Sequence, residues 1–158
     1  MQHLVLYYSR TGRTALVAKS IAERLGCDIE GIEENKDRRG IFGYIIGGYE
    51  AIAKKSSSIG KLKQQPEKYD SIIIGQPVWG GMLVPAVRTL LKKHDLAPKQ
   101  VALFATMDGS GGERCNRKTE ELIGKPAAAK AVFVKPHKQQ DEKALDSFIS
   151  RISQPARR

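Results

Sequence analysis

Two short runs, Ser71-Ile72-Ile73-Ile74-Gly75 and Val101-Ala102-Leu103-Phe104-Ala105, are apolar at consecutive positions rather than at every second one. A strand with one wet face alternates polar and apolar residues. A strand without that alternation has both faces buried, the condition of a parallel sheet covered by helices on each side. This constrains the chain more than any other feature. The pattern predicts strands over 3–8, 28–32, 71–75, 100–105 and 130–134. Helical periodicity separates them over 13–25, 41–54, 84–94, 113–123 and 141–152. Strict β-α alternation implies a doubly wound α/β sandwich. At 158 residues the chain suits one domain with a substantial core, expected over 1–153, with 154–158 as a frayed tail.

In an open parallel sheet, ligands sit beyond the carboxyl ends of the strands. Three loops should therefore converge there. The first is Ser9-Arg10-Thr11-Gly12-Arg13-Thr14, between strand one and a helix start. The first N–H groups of a helix lack intrahelical partners and carry partial positive charge, so this turn suits a terminal phosphate. Its Ser and Thr residues are equally what a capped helix requires. The second loop, Gln76-Pro77-Val78-Trp79-Gly80-Gly81, holds the only tryptophan, a flat surface for stacking or a residue packed on its own loop. The third, Thr106-Met107-Asp108-Gly109-Ser110-Gly111-Gly112, is a small-residue loop whose backbone can reach a ligand's polar edge, or else a plain connection. The odd helix pattern at Ile41 to Tyr49 carries Phe42, Tyr44 and Tyr49, for the core or for a ligand.

The formal net charge is +10, but the basic residues are spread and no stripe interleaves them with aromatics. A solvated surface is favoured over nucleic acid recognition. His3, His94 and His137 share no ligand spacing, so no metal and no catalytic base is assigned. Cys27 and Cys115 are far apart and outside any C-x-x-C, which favours a reducing compartment. No signal segment and no apolar run of transmembrane length is visible, and the expectation is a soluble cytoplasmic protein without membrane insertion.

With these loops in view, the chain resembles the flavodoxin family over nearly its whole length, in the short-chain form. The carriers are the Ser-x-Thr-Gly-x-Thr loop, the Gly-x-Pro-Val-Trp segment with its Trp-Gly pair, and the Asp-led third loop. The resemblance implies a five-stranded parallel sheet of order 2-1-3-4-5 and noncovalent FMN. It places Ser9, Arg10, Thr11, Gly12, Arg13 and Thr14 at the phosphate, and Pro77, Val78, Trp79, Gly80 and Gly81 at the flavin ring. There Trp79 would stack on the ring, and the Gly80-Gly81 peptide would turn over on reduction. Thr106, Asp108, Gly109, Gly111 and Gly112 would border the pyrimidine edge. Two positions depart from the family. Gly111 stands where many flavodoxins carry a Tyr that covers the other flavin face, and Gly81 stands where an acid often follows the Trp-Gly pair. The familiar carriers are also acidic, unlike this chain.

The leading expectation is an FMN-binding protein that passes electrons between redox partners with acidic surfaces, as a monomer or dimer. The alternative is an FMN-dependent reductase of quinones or related aromatic substrates. A third is a flavin-free domain that binds a protein partner.

Overall fold

A computed structural model describes residues 1–35 and 57–154 of the chain. The five strands are β1 (His3–Tyr7), β2 (Asp28–Gly31), β3 (Ser71–Pro77), β4 (Gln100–Met107) and β5 (Ala129–Val134). They form one parallel sheet of order β2-β1-β3-β4-β5. Four α-helices are described: α1 (Arg13–Leu25), α2 (Pro85–Lys93), α3 (Gly112–Ile123) and α4 (Glu142–Ile152). This is the flavodoxin-like α/β architecture expected from the sequence. The helix expected over 41–54, with Phe42, Tyr44 and Tyr49, lies outside the described residues, as do residues 155–158 of the expected tail.

The consecutive apolar runs do bury both faces. Successive residues of β1 and β3 divide between two cores. Leu4, Leu6, Ile72 and Ile74 pack with Val84, Val87 and Leu90 on the α2 side. Val5 and Ile73 pack with Val17, Ile21, Leu145 and Phe148 under α1 and α4. Within the second core, Phe104, Phe133 and Phe148 meet edge to face, with ring centroids 6.1–6.5 Å apart. Arg24 ties α1 to α4 through Glu142 and Asp146.

β3 and β4 each run two residues beyond the apolar pattern. Their ladder continues through the pairs Gln76↔Ala105 and Pro77↔Thr106. Polar side chains thus enter the sheet at its carboxyl edge, where hydrophobic periodicity is silent. Gln76 is one of them. It is buried, its Nε2 donates to Thr119 Oγ1 of α3 at 3.0 Å, and its Oε1 accepts from Val84 N at 3.0 Å. One amide therefore pins both ends of the 77–84 loop.

β3 also meets its neighbour closely. A Cβ on Gly75 would lie 1.9 Å from Phe104 Cζ, so the ring occupies the space of the missing side chain. Gly75→Ala is expected to destabilise the fold by about 1–3 kcal/mol through overpacking, read as a lowered midpoint in urea unfolding with an unchanged slope.

Candidate functional site

Because all strands are parallel, the loops after β1, β3 and β4 leave the same edge of the sheet. They enclose a cavity of about 460 Å³. Its walls are Arg10, Thr11, Arg13 and Thr14 from the first loop and Pro77, Val78, Trp79, Gly80 and Gly81 from the second. The third loop contributes Thr106, Met107, Asp108, Gly109, Ser110 and Gly111, and Arg114 of α3 completes the wall. The size falls within the usual range for small-molecule sites.

Ser9, Gly12 and Gly112 do not line this cavity. Ser9 Oγ accepts the N–H of Gly12 at 3.1 Å and of Ala15 at 3.3 Å, so it caps its own loop. Ser9 and Gly12 face a neighbouring groove between the first loop and residues 29–33 and 60–64. Gly112 opens α3 and is buried, and a Cβ there would lie 2.5 Å from Val132 Cγ1. Its lack of a side chain serves the packing of helix on sheet. These three expected cofactor residues shape the walls without facing the cavity.

The Ser9 cap has a second effect. It leaves the N–H groups of Arg13 and Thr14, the first two of α1, without a hydrogen bond among the described residues. Both residues line the cavity beside Thr11. The Thr14 side chain is differently used: it is buried, and its Oγ1 lies 2.7 Å from Thr106 Oγ1. One hydroxyl must donate to the other, which leaves a single proton of the pair for anything else. The contact ties the first loop to the third across the floor of the cavity.

Trp79 is only 3% exposed. Its ring packs in the α2-side core, with Tyr8 edge-on at 5.6 Å and 90°. The expectation of an open stacking plate does not describe this side chain. A large indole gains most by burying its area, and the loop folds back to let it do so. The fold-back is a tight turn. Met82 N donates to Trp79 O at 3.1 Å, and Gly80 and Gly81 have φ of 60° and 69°. Two consecutive positive φ values match a type I′ turn and select glycine.

Gly111 stands against this turn with φ of 97°, and a Cβ there would lie 3.0 Å from Gly81 Cα. No side chain fits without shifting the second loop. The position that carries Tyr in many flavodoxins is therefore glycine here because two backbones touch.

Among the described residues lining the cavity, the charged side chains are three arginines and one aspartate. Arg13 Nη1 donates to Asp108 Oδ2, and His137 Nδ1 lies 3.9 Å from the other oxygen. Arg114 is not among the expected site residues, and in the sequence it is one of the spread basic residues that read as a solvated surface. Its Cδ lies 3.2 Å from the place of a Cβ on Gly81. The available signal was its position. A cation in the first turn of a helix opposes the helix dipole and needs another reason to be there. Gln76 was also missed as a positioning residue, since its role depends on Thr119, forty-three residues away.

No cluster of three or more His, Cys, Asp or Glu side chains able to hold a metal occurs among the described residues. No described helix is long and apolar enough to cross a membrane. Cys115 is buried, donates weakly to Met82 O at 3.4 Å, and has its thiol pushed up to about 12 by burial. Burial, with Asp28 second, also raises Cys27, to about 11. Neither is a ready nucleophile.

The family profile described as Flavodoxin matches residues 49–145, more than half of the chain. A comparison with curated proteins finds no match. Among solved structures, a candidate flavoprotein from Bacteroides eggerthii superposes with a TM-score of 0.78 at 23% identity, over 98% of this chain and 99% of its own. A flavoprotein in complex with FMN from Lactobacillus acidophilus gives 0.74 at 22% identity, over 93% and 97%. The oxidised flavodoxin 2 of Bacillus cereus gives 0.62 at 20%, over 96% and 97%.

Two measurements check this reading of the site. Thr14→Val and Thr106→Val should each destabilise, and the double variant should lose less than their sum, with a coupling of about 1 kcal/mol in urea unfolding. Cys115 should resist a thiol reagent at pH 8 in the folded protein and react on denaturation, with Cys27 reacting first.

Proposed function

Because the chain belongs to the flavodoxin family, we propose that it holds FMN in the cavity at the carboxyl edge and passes electrons between redox partners. The observation that carries this reading is the convergence of three loops on one cavity, with anion donors at one end and bare glycine backbone at another. The donor set fits a phosphate. The free N–H groups of Arg13 and Thr14, the Thr11 hydroxyl and the nearby guanidinium groups would hold it. Asp108 keeps Arg13 in place at the rim. The Gly80-Gly81 turn would lie along the ring, with Trp79 buried beneath as support. FMN, when bound, supplies the electron-transfer chemistry, and the protein supplies its binding, orientation and surrounding charge.

The strongly basic chain suits a partner with an acidic surface, and association should be faster at low salt. The free cysteines suit a reducing, cytoplasmic setting. A specific observation also favours the reductase reading. Gly80, Gly81 and Gly111 present no side chains to the cavity, which leaves room for a small aromatic substrate.

Two experiments test these readings. FMN should bind far more tightly than riboflavin, which lacks the phosphate, in a fluorescence titration. Thr11→Ala should weaken FMN by about 1.5 kcal/mol, roughly tenfold, and leave riboflavin unchanged. Equal affinity for the two flavins would overturn the phosphate assignment. Rapid oxidation of NADPH by the FMN-loaded protein with a quinone, needing no protein partner, would select the reductase over the carrier.

A further inference from the structure

The cavity's charges are unevenly compensated. Arg13 is paired with Asp108, the only acid among the described residues of the walls. Arg114 makes no hydrogen bond or ion pair among the described residues, and it is exposed. It stands in the first turn of α3, where the helix dipole disfavours a cation. Its stem lies against Gly81, on the wall where Gly81 and Gly111 leave bare backbone. A guanidinium beside two glycines, with no ion-pair partner among the described residues, presents a planar fork of donors to whatever enters there.

We propose that Arg114 is a specificity-determining residue for an anionic aromatic substrate: a planar quinone-type oxidant carrying a sulfonate or carboxylate. This rests on the reductase reading given above. With the flavin ring along Gly80-Gly81, the ring of the substrate would enter beside it on the side of Gly111, and its anionic group would meet Arg114 at the mouth. In turnover the quinone gains two electrons and two protons to become the hydroquinone. FMN, when bound, would supply the two electrons, a nicotinamide donor would replace them as hydride, and the remaining proton would come from solvent. The proposal separates the roles of the arginines. Arg10 and Arg13 belong to the phosphate loop, whereas Arg114 belongs to the substrate.

The test is equilibrium binding to the oxidised, FMN-loaded protein, so that no turnover is needed. The probes are 1,4-naphthoquinone-2-sulfonate and the neutral 2-methyl-1,4-naphthoquinone. FMN content is measured separately by visible absorbance for each variant. The sulfonate should bind about fivefold or more tightly than the neutral quinone at low salt, the scale of one partly exposed ion pair, and the preference should shrink as salt is added. Arg114→Gln should bring the ratio of the two affinities close to one, and Arg114→Lys should keep part of it. The ratio divides out any general change in the cavity. Equal affinities in the parent protein, or a preference that survives in Arg114→Gln, would overturn the proposal. A variant that loses FMN affinity, with no anion preference in the parent, would assign Arg114 to the flavin instead. A protein that takes up no FMN at all would overturn both this proposal and the reading beneath it.

Discussion

The common direction of the five strands is the constraint on which the rest of the molecule depends. Parallel pairing requires every connection to cross a face of the sheet, so helices bury both faces and every βα loop leaves one edge. The two cores on either side of β1 and β3 are the energetic consequence. The cavity is the geometric one. Loops separated by some seventy residues in the chain become neighbours because their strands are neighbours in order β2-β1-β3-β4-β5.

A few polar contacts turn that edge into a defined site. Ser9 saturates the N–H groups of Gly12 and Ala15 and so selects which helix-start donors remain open. Gln76 pins the ends of the second loop. The Thr14–Thr106 hydroxyl pair joins the first loop to the third. The Gln76 and Thr14–Thr106 contacts are buried, so losing one partner strands the other away from water, which costs more than the bond itself gains. The loops are therefore held by contacts with a single good geometry, as a site that must present backbone donors requires.

The electrostatic character follows from which cations find partners. A net charge of +10 spread over a surface is mostly solubility. Around the cavity the balance is local: Arg13 has Asp108, and Arg114 has bare glycine backbone beside it. The same glycines that let two backbones touch at Gly81 and Gly111 also keep that wall clear. Packing and charge therefore act together at the open side of the site.

The fold was legible in the sequence because burial on both faces of a strand leaves a local mark. The run Ile72-Ile73-Ile74 reads as a doubly covered strand without knowledge of its neighbours. The helix starts at Arg13, Pro85 and Glu142 were visible to within a residue because caps, proline and apolar spacing are local as well. The loop resemblance identified most of the cavity wall, since backbone turns and anion donors need particular residue types at short spacing. What the sequence alone determined is thus the local chemistry: which segments bury, which turn, and which offer donors. Only the tertiary structure decided the direction and partner of each side chain. Trp79 went into the core beside Tyr8, Ser9 turned back on its own loop, Gly112 closed against Val132, and Arg114 reached Gly81. Those outcomes depend on contacts between residues distant in the chain, and no local pattern encodes which of several chemically adequate partners lies within a few ångströms.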